Sequence, residues 1–293
     1  MSCFASYSIL YAWIEILTQP ITVVYSPMLA IVIDSPLRYH QRLGYLLICL
    51  YCGSFTMCVS LLAAHFVYRY MLFIKAHLVH KLERFGLLRL FIPCLLASAL
   101  YFSLVYFGMT NDLEKKQYLR SYLLEYYEED SFKVPFISMK YWRIVNGNRH
   151  WKWNEIIIGV SVGSIITVCF MIILYCGYYI YSFMEKNSSS FSQHTKELHN
   201  QLFLTLVLQT LLPTFMMYLP VAFFIFLPLF NISISWYICN IPATTLGIYP
   251  SLEPLIAVYC IKDFRRTLIR KFRRTEVMQA TTQLQNITIF TAN

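Results

Sequence analysis

Charge is scarce in this chain. Asp, Glu, Lys and Arg make up 13% of its 293 residues, about half the share usual in soluble domains. That low polarity excludes intrinsic disorder, which needs the opposite composition. No Cys lies in a polar stretch. Cys3, Cys49, Cys52, Cys58, Cys94, Cys169, Cys176, Cys239 and Cys260 all fall in apolar runs and read as small residues inside helices. Cys49 and Cys52 have CxxC spacing, but no second ligand pair stands near them, so a zinc or redox role is weak. The chain contains no GxGxxG, P-loop, HExxH or GxSxG, which removes the common soluble-enzyme chemistries. His77/His80 and His194/His199 sit beside Lys residues and read as solvated loop residues. No enzyme, cofactor or metal is expected.

Apolar residues, with Tyr, make up 58% of the chain, and mean hydropathy is +0.53. No soluble globule of this length could hide so much apolar surface. The sequence therefore reads as a polytopic membrane protein, whose helices need about 20 apolar residues each. The net charge is +9. Its basic residues lie mostly in loops and tail, where they fix topology rather than hold nucleic acid.

Six apolar runs have the length of a crossing: residues 3–25, 45–73, 85–108, 156–183, 202–229 and 232–261. The first lacks the basic start and cleavage site of a signal peptide. Prolines crowd the last two runs: Pro213, Pro220, Pro228, Pro242, Pro250 and Pro254. Neighbours in a bundle can re-satisfy the carbonyl that a proline frees, so kinks are expected there.

The stretch 262–274 holds seven basic residues in thirteen, which puts the tail in the cytoplasm. Counting back, the loops at 74–84 and 184–201 are inside. The segments at 26–44, 109–155 and 230–231 are outside. Met1 would then be cytoplasmic. The loop at 109–155 carries eight basic and seven acidic residues, so its net bias is near zero. Sequons begin at Asn187, Asn231 and Asn286. Two are cytoplasmic on this topology and one lies too close to the membrane, so none is expected to be glycosylated. Residues 262–272 alternate basic residues with Phe264, Leu268, Ile269 and Phe272. That pattern suits an amphipathic helix on the inner leaflet, with a polar tail beyond it.

Two acids lie deep in apolar runs, Glu15 and Glu253. Such residues are costly and face the bundle interior or water. They either share a polar pocket, with a cation or a proton, or serve separately as structural polar groups. Arg69, between Tyr68 and Tyr70, stands near the inner end of the second run. It reads as an interfacial anchor or as a switch facing a cytosolic partner.

Three motifs then align. Residues 64–70, Ala-His-Phe-Val-Tyr-Arg-Tyr, resemble the inner end of the third helix in nematode serpentine chemoreceptors of the Str type. Residues 201–213 and 218–221 resemble their sixth helix. Residues 249–255, with Tyr249, Pro250, Glu253 and Pro254, followed by 261–265, resemble the seventh helix and its exit. The likeness runs from about Tyr7 to Phe272. It implies a rhodopsin-like, all-α bundle that signals through a heterotrimeric G protein in sensory neurons, often at cilia. Two departures stand out. Glu253 takes the place of a frequent Asp, and the first run resembles the family's second helix, so a preceding helix is expected upstream. The outer segments hold no Cys for the disulfide common in seven-helix receptors.

The resemblance implies a small, apolar odorant held among outer-half side chains, with Tyr51, Phe55, Tyr218, Phe223 and Ile241 as candidates. Arg69, with Tyr68 and Tyr70, would meet the G protein. Membrane lipids are the other partner. Two alternatives remain open at this point. One is a truncated, non-signalling receptor. The other is a six-helix transporter or channel with Glu15 and Glu253 on its path, although the chain has neither the internal repeat many transporters carry nor a filter-like loop.

Overall fold

A computed structural model describes residues 2–74, 86–186 and 193–241, with short pieces at 244–245, 255–256, 259–260 and 265–266. Tyr249, Pro250, Glu253 and Pro254 lie outside the described residues, as does nearly all of the tail. The chain divides into two compact units. The larger, residues 1–187 and 212–250, carries everything that follows except helix α6.

The first apolar run does not form one long helix. Helix α1 spans Ser2–Thr18 and ends where Gln19 adopts a left-handed φ of 42°. Pro20 follows, and the residue before a proline is steered away from helical backbone. The next stretch, Ile21-Thr22-Val23-Val24-Tyr25, is β-branched and aromatic, which suits a pleated strand. Strand β1 (Pro20–Tyr25) therefore replaces the last turns expected of a helix, and turns back through Ser26–Pro27 into β2 (Met28–Ile33).

A single 3-10 turn (Pro36–Tyr39) leads into α2 (Gln41–Ile74). Helix α3 is Gly86–Gly108 and α4 is Leu113–Tyr127. Strands β3 (Phe136–Lys140), β4 (Trp142–Val145) and β5 (Asn148–Trp151) precede α5 (Trp153–Lys186). Helix α6 (Gln193–Pro213) runs into a π-turn at Thr214–Tyr218. Helix α7 (Leu219–Phe226) follows, then a 3-10 turn at Leu227–Phe230. The chain is mainly helical, but five strands occupy segments that a purely helical reading leaves out.

Among the described residues, four helical stretches are long and apolar enough to cross a membrane: Gln41–Ile74, Arg89–Gly108, Trp153–Lys186 and Phe203–Phe230. Six crossings were expected. Helix α1 is too short by that measure because its run is split, and the sixth run is described only in pieces such as residues 236–241. Helix α2 is the central pillar: 83% of its apolar window is buried, against 17–33% for the others. Close approach to α3 comes at Gly53, whose carbonyl accepts the Ser98 hydroxyl at 2.8 Å. A Cβ there would meet Phe102 at 3.2 Å.

Strands β1, β2 and β3 form one antiparallel sheet in that order, with Ile31 opposite Ile137. Alternation gives the sheet two distinct faces. Val23, Met28, Ala30, Val32 and Phe136 pack against Leu119, Tyr122 and Leu123 of α4. Thr22, Leu29, Ile31, Ile137 and Met139 turn toward the helices. The sheet is thus a roof, covered above by α4 and facing the bundle below.

The proline kink is also visible. Pro220 cannot donate to the carbonyl of Met216, four residues earlier. The Thr245 hydroxyl donates to that carbonyl instead, at 3.1 Å. The ladder opens there into the π-turn, a familiar way for a helix to bend.

Candidate functional site

Beneath the roof lies a cavity of about 80 Å³. Thr22, Leu29, Ile31, Ile137, Ser138 and Met139 form its ceiling. Its walls are Tyr51, Cys52 and Phe55 of α2, Tyr101 and Val105 of α3, Val162 of α5, and Val221, Phe224 and Ile225 of α7. Most of this lining is aliphatic or aromatic. Thr22, Tyr51 and Tyr101 add the few hydroxyls, since that of Ser138 donates to Asn111 Oδ1 on the other face of the sheet at 3.2 Å. The pattern is typical of small-molecule pockets, though much smaller than those for drug-sized ligands.

The sequence candidates divide. Tyr51 and Phe55 line the cavity. Tyr218, buried in the π-turn, sits directly behind them, edge-on to Phe55 at 5.6 Å and to Phe170 of α5 at 4.9 Å. Phe223 and Ile241 are 59% and 54% exposed and do not line this cavity. Phe223 adjoins the cavity residue Phe224 but points away from the cavity, because neighbouring positions on a helix face about 100° apart.

Glu15 is buried on α1, but it lines a different hollow, with Gln19, Asn240 and Thr244. Its Oε2 finds no hydrogen-bond partner among the described residues. Tyr11, four residues earlier, stacks on Tyr51 at 5.9 Å. Glu253 lies outside the described residues, so the proposed pairing with Glu15 stays an expectation.

Tyr68, Arg69 and Tyr70 are half-buried near the far end of α2. Tyr70 meets Tyr175 and Tyr179 of α5 at 6.2 and 6.1 Å. Twenty-eight residues of helix separate Gln41, near the roof, from Arg69, about 42 Å at 1.5 Å per residue. Phe55, the cavity residue furthest along α2, is fourteen residues from Arg69, about 21 Å, so the cavity lies in the roof half of the bundle and this cluster near the other end of α2.

The roof is held by charge that the sequence reading did not find. Lys115 of α4 is completely buried, and its Nζ uses all three donors. It pairs with Glu155 Oε1 at 2.6 Å and donates to the carbonyls of Thr110 and Ser138 at 2.8 and 3.0 Å. Its neighbour Glu114 bridges Lys140 of β3 at 2.9 Å and Lys152 at 2.8 Å. Burial opposes ionisation of Glu114, but the two ammonium groups outweigh it and hold its pKa near 2. Roof helix, roof strand and the start of α5 are thereby locked together. The near-neutral charge of the loop at 109–155 was the trace of this pairing, since opposite charges that meet in space cancel in a count.

Further hydrogen bonds join the roof to the kinked helix and to the segment after it. Tyr141, after β3, donates its hydroxyl to the carbonyl of Ile225 in α7 at 2.7 Å. It fits against Gly159 of α5, where a Cβ would come within 3.1 Å of that hydroxyl. The backbone N–H of Ile234 donates to Val24 of β1 at 3.1 Å, and the Ser26 hydroxyl to Asn231 Oδ1 at 3.0 Å. The three segments at 26–44, 109–155 and 230–231 thus gather at one end of the molecule.

A larger apolar hollow, about 470 Å³, opens sideways between α2, α3 and α5 around Ala63, Pro93 and Ile172. Its Ser60, Cys94 and Ser164 side chains bond to their own helices or a neighbour's carbonyl, so it offers little polar recognition. Among the described residues no cluster of His, Cys, Asp and Glu could hold a metal ion.

Comparison with known proteins places this architecture. The family described as serpentine type 7TM GPCR chemoreceptor Str matches residues 1–269. Serpentine receptor class r-10 of Caenorhabditis elegans is 29% identical over 92% of this chain and 79% of its own length. Its namesake in Caenorhabditis briggsae is 28% identical over 93% and 80%. The G-protein coupled receptor str-33 of C. elegans is 24% identical over 92% and 79%. No solved structure matches the chain. With nearly its whole length matched, the chain belongs to the Str family of nematode serpentine chemoreceptors, multi-pass membrane proteins of the G-protein-coupled receptor class.

Proposed function

We propose that this receptor detects a small, mainly apolar molecule bound in the cavity beneath the sheet. The observation that carries the reading is the cavity's position: it is enclosed by the roof, and its wall includes α7, the segment just beyond the π-turn. Apolar walls with a few hydroxyls suit a compact molecule with one or two hydrogen-bonding atoms. An occupant would press on Phe55, and through it on Tyr218 in the kink. A ligand that binds one arrangement of the kink better than another shifts the population between them.

The signal would leave at the opposite end, where Tyr68, Arg69 and Tyr70 would meet a heterotrimeric G protein on the cytoplasmic side. This orientation rests on the basic stretch at 262–274. The setting would be the plasma membrane of a sensory neuron, including its cilium.

The test is G-protein activation in cells expressing the receptor, screened with volatile alcohols, ketones and esters. Arg69→Ala should abolish the response while ligand binding and surface expression persist. A signal unchanged in that variant would remove Arg69 from the coupling surface. Silence of the verified surface receptor across the panel would count against the ligand class.

A further inference from the structure

The hairpin formed by β4 and β5 has no assigned role. Its turn, Asn146-Gly147, has φ of 52° and 79°, the left-handed pair that a tight two-residue hairpin needs. Every residue from 143 to 151 is exposed. Ile144 is 65% exposed, unusual for an aliphatic side chain at a hairpin tip in water. Arg149 stands directly across from Ile144 on one face of the hairpin, and Arg143 pairs with His150 on the other, with no acidic partner among the described residues; Arg149 rests instead on the Trp142 ring at 4.6 Å. Not one Asp or Glu occurs between Ser131 and Asn154. Arg143 and Arg149 are thus the hairpin's charges, whereas α4 and the turn after it mix Lys115, Lys116 and Arg120 with acids.

The hairpin's level in the bilayer follows from α5, which it adjoins through Lys152. Helix α5 carries an exposed apolar stripe at helical spacing: Trp153, Ile157, Val160, Val168, Met171 and Tyr178. Such a stripe faces lipid in a spanning helix. Twenty-five residues separate Trp153 from Tyr178, about 38 Å at 1.5 Å per residue. That exceeds the roughly 30 Å hydrocarbon core and fits within headgroup-to-headgroup thickness. The stripe is aromatic at both ends, as at membrane–water boundaries. Trp153 therefore stands at headgroup level, and the hairpin ends two residues before it, at Trp151.

We propose that the β4–β5 hairpin is a membrane-surface anchor. Trp151 and Ile144 enter the headgroup layer, and Arg143 and Arg149 bind lipid phosphates. The occupant of this surface is the leaflet of the receptor's own bilayer. Because β4 follows directly on the roof strand β3, the anchor ties the ligand-site roof to that leaflet. The inference rests on α5 spanning the bilayer, and the experiment separates the two.

Full-length receptor is reconstituted in phosphatidylcholine vesicles containing phosphatidylglycerol. Single nitroxide labels are placed at Ile144→Cys, at Val168→Cys in the middle of the α5 stripe, and at the exposed Glu125→Cys on α4. Cys3 is replaced by Ser, and the other eight native thiols are buried. Collision of each label with oxygen, enriched in lipid, is compared with collision with a water-soluble nickel chelate. Val168 should read deep and Glu125 aqueous. Ile144 should favour oxygen several-fold more than Glu125, and lose that preference in Arg143→Gln/Arg149→Gln. A deep Val168 with Ile144 matching Glu125 overturns the anchor, as does an Ile144 signal unchanged by the double substitution. An aqueous Val168 overturns the spanning assignment itself.

Discussion

Removing the Glu155 carboxylate should be among the most damaging single changes in the roof half of this receptor. Lys115 is buried with all three donors engaged, at 2.6, 2.8 and 3.0 Å. Glu155→Ala leaves two carbonyls but no counter-charge around an ammonium that water cannot reach. Breaking a buried pair this way costs about 3–5 kcal/mol. Lys115→Met should cost a similar amount by stranding the carboxylate and freeing two roof carbonyls. For a chain of this size, the larger figure corresponds to a melting shift on the order of 10 °C. With Cys3 replaced by Ser, the assay is built into the protein, because the other eight cysteines are all buried. A thiol-reactive dye therefore reports unfolding on heating the solubilised receptor. Lys115→Met/Glu155→Leu should recover much of the loss, since replacing both charges by packed apolar groups can be near neutral. Strict additivity of the two single substitutions would refute the coupling. Unchanged melting in either single variant would refute the burial argument itself.

Other outcomes follow from the same geometry. The folded pKa of Glu114, near 2, lies below its ordinary 4.5, so its contribution to stability is fully present above about 4.5. It fades as pH falls toward 2, when the carboxylate protonates and releases Lys140 and Lys152. Melting against pH should show this loss in wild type and not in Glu114→Gln. Tyr141→Phe leaves the Ile225 carbonyl without its donor and should lower stability by about 1–3 kcal/mol, read in the same thiol assay. Thr245→Val should cost a comparable amount by unpairing the carbonyl that Pro220 frees. In Pro220→Ala/Thr245→Val, where the helix can close its own ladder, that cost should shrink.

The helices were legible because apolar runs of membrane length have few alternative explanations, and the Str motifs around Arg69 and Pro220 are local in sequence. The roof was not legible. Pro20–Tyr25 is as apolar as the helix before it, and only Gln19-Pro20 and the β-branched run marked a change of backbone. Pairing of β2 with β3 joins residues more than a hundred positions apart, which no local pattern encodes. The ligand candidates show the same limit. Tyr51, Phe55 and Tyr218 converge because two helices present them to one another. Phe223 and Ile241, chosen for depth alone, turn out to face away. The charge network hid in a near-zero sum, because pairing within one loop erases net charge.

The central claim is that a small molecule acts from the cavity under the sheet. Val162 is fully buried in its wall, and a phenyl ring at that position would occupy much of the roughly 80 Å³. The most direct measurement is the dose–response of G-protein activation for an active compound, compared between wild type and Val162→Phe at matched surface expression. Val162→Phe should lose the response or need about tenfold more ligand, a penalty of about 1.4 kcal/mol. An unchanged dose–response curve, with the cavity filled, would contradict it.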